Sequence, residues 1–284
     1  MGETRARSDD GPVKIERFIE AVMAEDVGRG DLYARVSETV EASAKIIAKS
    51  DGVLAGVLYI DTLAKMENLY VKWFVGEGER FQKGDVVAHF SGDSHTLLRS
   101  ERTILNMMLH ASSIATLTRR YADLVEPYGT KLLDTRKTRP MLREFEKYAT
   151  RIGGAVNHRL GLDDCLMLKD THLRTIDDLE AFMALARRNI PYTAKIEIEA
   201  ETFEMAKKAM AVEADIVMCD NMTPEELREV VVYKQTHYPH IKLEASGNIS
   251  LQTIESYAAT GVDAISTGSL IHQANWIDLS MKMD

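Results

Sequence analysis

Between residues 131 and 267 the chain repeats one pattern: a short apolar run, then a longer stretch with helical spacing. The runs fall at 131–135, 165–169, 194–199, 215–219, 241–245 and 262–267. Each is strand length, and intervals of about 20 to 35 residues are too long for hairpins but right for a crossover helix. Repeated strand–helix units of this kind build a parallel sheet or a closed barrel. Charged residues and glycines recur at the carboxyl ends of the runs: Arg136 and Lys137, Lys169 and Asp170, Glu199, Asp220, Ser246 and Gly247, then Gly268. In barrels that end carries the active site, so the repeat predicts where chemistry lies as well as the fold.

The first hundred residues read differently. Ile15, Phe18, Ile19, Val22 and Met23 fall on one helical stripe from Val13, and the segment EDVGRGD at 25–31 ends it. Val40, Ala42, Ala44, Ile46 and Ala48 alternate with polar residues, the period of a half-exposed strand. Further short strands are expected at 69–75 and 85–91 around the turn-rich EGERFQKGD, giving an α+β sheet module. Lys83 in that turn invites comparison with the modified lysine of a carrier module, but it is offset in the turn and reads as a surface lysine. A long helix is expected over 101–125, with Ile104, Leu105, Met108, Ala111 and Ala115 on one face. The alternating segment 276–283 is expected to return to the first module as a strand. Residues 1–12 are polar and aperiodic and read as a disordered start. The expected domains are thus 13–108 joined by 271–284, and 109–270.

Charge narrows the ligand. The chain carries a net charge of −9, which argues against nucleic acid or an anionic membrane as partner, since either needs a broad basic face. Yet residues 131–174 hold ten Lys and Arg against six Asp and Glu, a window of +4. A basic site in an acidic protein suits a small polyanion. The two cysteines, Cys165 and Cys219, lie in apolar runs and form no disulfide framework, which points to a reducing compartment. No apolar run reaches the ~18 residues of a membrane span, so a cytoplasmic location is expected.

Each candidate site residue has a bland reading beside the functional one. Arg136 suits a surface position at a strand end unless its cationic neighbours share a ligand. His158 and Arg159 follow the flexible GGAVN, where a satisfied structural histidine is the alternative. Lys169 closes the run CLMLK as a barrel-mouth cation or as a Schiff-base nucleophile. Lys195, Glu197 and Glu199 share one strand face, costly unless the charges pair or bind something. Asp220 could cap the next helix, but Thr223 before Pro224 is the better cap, which shifts Asp220 toward a ligand role. Ser246-Gly247-Asn248 and Thr267-Gly268-Ser269 are small-residue turns suited to presenting N–H groups to phosphate. Together these groups could clamp a dicarboxylate beside a sugar diphosphate and its divalent ion, a combination that points to group transfer at an anomeric carbon.

DTRKTRP, GGAVNHRLGLDD, LKDTHL, KIEIE, MCDN and EASGNI, in this order and spacing, resemble the quinolinate phosphoribosyltransferase family. The likeness extends to ERTILNMMLHASSIATLTRRY at 101–121, KSDGVLAG at 49–56 and EDVGRGD at 25–31. The resemblance implies an α/β fold: an incomplete α/β barrel of six or seven parallel strands plus an N-terminal open α/β sandwich, in a homodimer or an assembly of dimers. It implies transfer of phosphoribose from phosphoribosyl pyrophosphate to quinolinate with decarboxylation, giving nicotinate mononucleotide in NAD biosynthesis, with Mg2+. Arg136, His158, Arg159 and Lys169, with Thr135 beside them, match quinolinate-binding positions. Arg102 matches an arginine that enters the neighbouring protomer's site. Lys137, Glu199 and Asp220 match contacts to phosphoribosyl pyrophosphate, Glu199 and Asp220 also to its metal. Ser246, Gly247, Asn248, Thr267 and Gly268 match phosphate-binding loops. Lys137, Lys169, Glu199 and Asp220 are the expected catalytic set. Asn248 stands where many relatives have glycine, Ala155 where a third glycine is common, and DLYARV departs from the usual run after Gly30. A Schiff-base lyase using Lys169, a non-catalytic nucleotide sensor and the molybdenum-transport-associated homologue are the rival readings.

Overall fold

The structure, a computed structural model, describes residues 12–284. Of the stretch 1–12 read above as disordered, residues 1–11 lie outside the described residues, and Pro12 is instead the first residue of α1. In chain order the elements begin with α1 (Pro12–Val27), β1 (Glu41–Ala48), β2 (Gly52–Val53), α2 (Val57–Met66), β3 (Tyr70–Trp73), β4 (Arg80–Phe81), β5 (Val86–Asp93) and α3 (Ser94–Val125). They continue with β6 (Lys131–Leu133), α4 (Arg143–Ile152), β7 (Cys165–Leu168), α5 (Asp170–Leu173), α6 (Leu179–Asn189), β8 (Lys195–Ala200), α7 (Phe203–Ala211) and β9 (Ile216–Asp220). Then come α8 (Pro224–His237), β10 (Lys242–Ser246), α9 (Ile254–Ala258), β11 (Ala264–Ser266), α10 (Ser269–His272) and β12 (Leu279–Met283). The chain forms two compact units, Met1–Thr116 with Asn275–Asp284, and Leu117–Ala274.

In the first unit an antiparallel sheet runs in the order β12-β1-β5-β3. Ile46 of β1 faces Met281 on one side and Ala88 on the other, and β12 is the returning strand that the alternation at 276–283 predicts. Ala44, Ile46 and Ala48 are buried while Lys45 between them is exposed, as a two-residue period requires. Phe18 of α1 meets Tyr59 of α2 edge to face, 5.7 Å between ring centroids. Gly52 pairs with Phe81, and a Cβ there would come within 2.6 Å of the phenyl ring, so only glycine fits. Helix α3 starts at Ser94, ahead of the expected residue 101. Its first turns hide among polar residues: Ser100 and Thr103 occupy buried positions that an apolar stripe would claim, and Asp93 Oδ1 accepts the Thr96 N–H at 2.9 Å to start the helix.

The second unit is the parallel sheet that the repeat predicts, in the order β6-β11-β10-β9-β8-β7. This is the cyclic order of a barrel with one seam left open, between β6 and β7. Among the described residues one isolated bridge lies along that open edge of β6, Leu133 to Val156, with Val156 N–H donating to Leu132 O at 2.8 Å. The result is an incomplete barrel of six strands. Ile196, Ile198, Val217, Leu243, Ala245 and Ile265 join the helix residues Ala206, Met210, Leu227, Val230, Ile254 and Leu270 in one core. At the amino ends of the strands, Asp215 accepts the Ile196 N–H at 2.7 Å and Asp263 the Leu243 N–H at 2.9 Å. Each also holds a cation, Arg187 at 2.7 Å and Lys242 at 2.8 Å. Helix α8 opens on the expected cap: Thr223 Oγ1 accepts from Glu226 N, and Glu226 Oε2 accepts from Thr223 N at 2.8 Å.

Candidate active site

A cavity of about 420 Å³ opens at the carboxyl ends of the barrel strands. Thr135, Arg136 and Lys137 reach it from the end of β6, His158 and Arg159 from the segment after α4, and Lys169 from the end of β7. Asp220 ends β9, and Ser246, Gly247 and Asn248 follow from β10. Ten sequence-predicted residues are therefore gathered in one place. Parallel strands make this inevitable: residues at equivalent strand ends must share one rim.

One side of the cavity is cationic. Arg136 is held in partial burial with its Nε unpartnered, and burial together with the neighbouring Arg159 and Arg143 cations pulls its pKa below the usual guanidinium value. Arg159 donates from Nη1 to Cys165 O at 3.0 Å, which aims the side chain along β7. Like charges crowded this way favour an anion between them. His158 is different. Its Nδ1 accepts the Arg159 N–H at 2.7 Å, while Nε2 lies 3.1 Å from Glu197 and 3.3 Å from Glu244. Burial opposes charge on the ring, but the two carboxylates outweigh it and push the pKa up to about 10. The Arg159 N–H donated to Nδ1 orients the ring, and burial raises the Glu197 pKa against the lowering pull of His158. The histidine is a satisfied, oriented ring as much as a cation, which merges the two readings its sequence left open.

On the other side Asp220 lines the cavity, while the predicted Glu199, like Glu201, does not line it directly. Lys169 Nζ meets Glu199 Oε2 at 2.7 Å, an ion pair that engages the nitrogen a Schiff-base route would need free. Glu199, Glu201 and Asp220 each bring an oxygen within 4.8 Å of the others. Burial and the nearby Glu199 raise the Asp220 pKa, the signature of acids crowded together that a divalent ion would relieve. Asn221 Nδ2 donates to Asp220 Oδ2 at 2.7 Å and fixes its orientation.

The turn after β10 closes this side. Gly247 has φ +94°, and a Cβ there would sit 2.7 Å from Asn221 N. Asn248, the departure from the family pattern, takes φ +51°, a left-handed conformation that asparagine tolerates, and its Nδ2 donates to Asn221 Oδ1 at 3.0 Å. The loop shape expected of a glycine is thus kept. Thr267 is buried, with Oγ1 donating to Ile249 O at 3.2 Å and accepting the Ser269 N–H. Gly268 lies beside Lys137, since a Cβ there would meet Lys137 Cδ at 2.9 Å. Neither Thr267 nor Gly268 lines the cavity directly. Arg102 belongs to the first unit, exposed on α3.

Sequence reading gave no role to several groups here. Asp134, Met167, Met218, Asn221 and Ser266 also line the cavity. Glu244 lies two residues before Ser246 on β10, so the alternation that marked Glu197 marks it too. Glu201 continues the spacing of Lys195, Glu197 and Glu199 but lies just beyond the end of β8. Both cysteines are free, and burial pushes each thiol up to about 12.

Fold and site define a barrel protein that gathers small polyanions at its strand ends, with cations on one flank and carboxylates on the other. Residues 114–282 match the quinolinate phosphoribosyl transferase C-terminal domain, and residues 31–112 match the N-terminal domain. A probable nicotinate-nucleotide pyrophosphorylase (carboxylating) of Synechocystis is 38% identical over 272 residues, spanning 95% of this chain and 92% of that one. The human nicotinate-nucleotide pyrophosphorylase (carboxylating) is 33% identical over 274 residues, spanning 96% and 92%. The solved structure of the Francisella tularensis nicotinate-nucleotide pyrophosphorylase superposes with a TM-score of 0.89 at 31% identity, covering 96% of this chain and 97% of that one. The chain belongs to the quinolinate phosphoribosyltransferase family and is a phosphoribosyltransferase enzyme.

Proposed function

We propose that the barrel cavity is where this chain joins quinolinate to phosphoribosyl pyrophosphate, releasing pyrophosphate and carbon dioxide and leaving nicotinate mononucleotide for NAD biosynthesis. The observation that carries this assignment of the site is its division: a half-buried Arg136 crowded by Arg159 and Arg143 on one flank, and three acidic oxygens within 4.8 Å on the other. The first flank suits two carboxylates, the second a diphosphate with its ion.

In this reading Arg136, Arg159 and Lys169 hold the dicarboxylate, with Thr135 and the His158 ring completing its walls. Lys137 faces the departing pyrophosphate, and Ser246, Gly247 and Asn248 offer the terminal phosphate a polar turn, braced by Thr267 and Gly268. Glu199 and Asp220 are the residues suited to hold Mg2+, which when bound neutralises diphosphate charge. The same two carboxylates stabilise positive charge on the ribosyl carbon as the pyrophosphate leaves. The ring nitrogen then takes that carbon. Its new positive charge accommodates the electron pair left when the adjacent carboxylate departs as carbon dioxide, and a proton replaces it. Lys169 acts as a paired cation and forms no covalent bond.

The active form in this proposal is a cytoplasmic homodimer or assembly of dimers, with Arg102 entering the neighbouring site. Its support is the family membership, the acidic balance and the free thiols. Among the described residues no helix is long and apolar enough to cross a membrane. The test is direct: protein, magnesium, phosphoribosyl pyrophosphate and quinolinate should yield nicotinate mononucleotide and carbon dioxide together. Absence of both, with nicotinate accepted instead, overturns the reading. Mixed Arg102→Ala and Lys169→Ala subunits should regain partial activity; no recovery in properly mixed dimers would mean that each site is complete within one chain.

A further inference from the structure

The open seam of the barrel falls between β6 and β7, and among the described residues one isolated bridge lies along its β6 edge. Beside that seam, just past β6, lies a cluster of buried polar side chains. Asp134, wholly buried just past β6, accepts from Lys147 Nζ at 2.5 Å, Thr150 Oγ1 at 2.9 Å, Asn157 Nδ2 at 2.5 Å and His158 N at 2.8 Å. Lys147, 1% exposed on α4, donates in addition to His158 O at 2.8 Å. The two backbone groups of His158 are therefore fixed by the two halves of one buried ion pair. Asp134 immediately precedes Thr135 and Arg136, and His158 immediately precedes Arg159, so this pair joins both chain segments that deliver the arginines.

We propose that Asp134 and Lys147 are positioning residues for the dicarboxylate clamp, holding together, beside the open seam, the segments that carry Arg136 and Arg159. A buried ion pair is poor evidence of extra stability, because desolvation offsets most of its attraction. Its use here is geometric. A carboxylate accepting four donors from two other segments of chain permits one arrangement of the three. Asp134 also borders the cavity, whereas Lys147 does not and so acts through the groups it holds. The inference rests on the proposed dicarboxylate role of the two arginines.

The test uses the full chain and equilibrium binding of quinolinate and, separately, of magnesium pyrophosphate. The double variant Asp134→Asn with Lys147→Met removes both charges at nearly constant volume. It should fold, as circular dichroism reads, yet bind quinolinate at least about tenfold more weakly while magnesium pyrophosphate binding stays within about twofold. A merely structural lesion would weaken both ligands together. Arg159→Ala is the control for the underlying reading: if it leaves quinolinate binding unchanged, the dicarboxylate clamp itself is wrong. If Arg159→Ala weakens binding and the folded double variant does not, the positioning role is overturned. Should the double variant fail to fold, Thr150→Val decides in its place, since it deletes one donor and leaves the ion pair. A loss of about threefold or more in quinolinate affinity supports the proposal, and a smaller change overturns it.

Discussion

Replacing Gly247 with alanine tests whether the turn after β10 serves the diphosphate. The backbone there has φ +94°, which costs an alanine about 1–2 kcal/mol. The added Cβ would also stand 2.7 Å from Asn221 N, a backbone atom that cannot retreat freely because it donates to Ser246 O at 2.9 Å. Relieving such a collision costs about a further 1–2 kcal/mol, giving about 2–4 kcal/mol in all. If half of that strain is lost from transition-state binding, kcat/KM for phosphoribosyl pyrophosphate falls about 5- to 30-fold. Initial rates of nicotinate mononucleotide formation at saturating quinolinate measure it. Gly261→Ala is the matched control: φ is +88°, but the nearest atom, Val231 Cγ1, is 3.7 Å away. It should lower thermal stability and leave the rate alone. A Gly247→Ala enzyme within about twofold of the parent, or an equal loss from Gly261→Ala, would falsify the assignment of this turn to the diphosphate.

Three further outcomes are expected. Hydrogen bonds and cations hold the Asp215 and Asp263 carboxyls below their ordinary pKa despite partial burial, so their stabilisation is fully present above the unfolded value of about 3.9 and is lost as pH falls through the depressed folded values. Urea midpoints taken from pH 6 to pH 3 should therefore drop more steeply for the parent than for an Asp215→Asn, Asp263→Asn variant, and parallel curves would contradict this. Phe81→Ala empties a site only 2% exposed and should destabilise the first unit by about 3–5 kcal/mol, read as a lower denaturation midpoint. Asp220→Asn should raise the magnesium needed for half-maximal rate about tenfold while metal-free quinolinate binding stays within about twofold; an unchanged magnesium requirement would remove Asp220 from the ion's holders.

How much of this was legible in the residues depends on period. The barrel strands were visible because each is a short apolar run bounded by polar residues, and the rim followed from their ends. Lys169, Glu199, Asp220 and Gly247 stand at those ends, and the family resemblance supplied their roles. Asp134 and Lys147 escaped a functional reading because their roles lie in who meets whom: one residue follows a strand and the other sits within a helix 13 positions on. No local pattern records that encounter. The early start of α3 was hidden because Ser100 and Thr103 bury small polar side chains against the unit's core. Thr267 and Gly268 had the right composition for a phosphate turn but stand behind the cavity wall, a difference of depth that one-dimensional spacing does not encode.

The pairing of β1 with β12 sets an order on biosynthesis. Ala48 and Leu279 are partners, so the sheet of the first unit lacks this neighbour until residues 117–274 have been made. During translation β1 waits with one edge unpaired while the barrel sequence emerges and can begin to fold. Completion of the earlier-made unit is thus the later event, and its closure rests on contacts of very long sequence separation, which form slowly. Asp284 adds to that closure through Lys45 at 2.5 Å and His89 at 2.8 Å. A nascent chain released before residue 279 would carry the whole barrel beside a sheet with an open hydrogen-bonding edge, and that edge is where self-association would start.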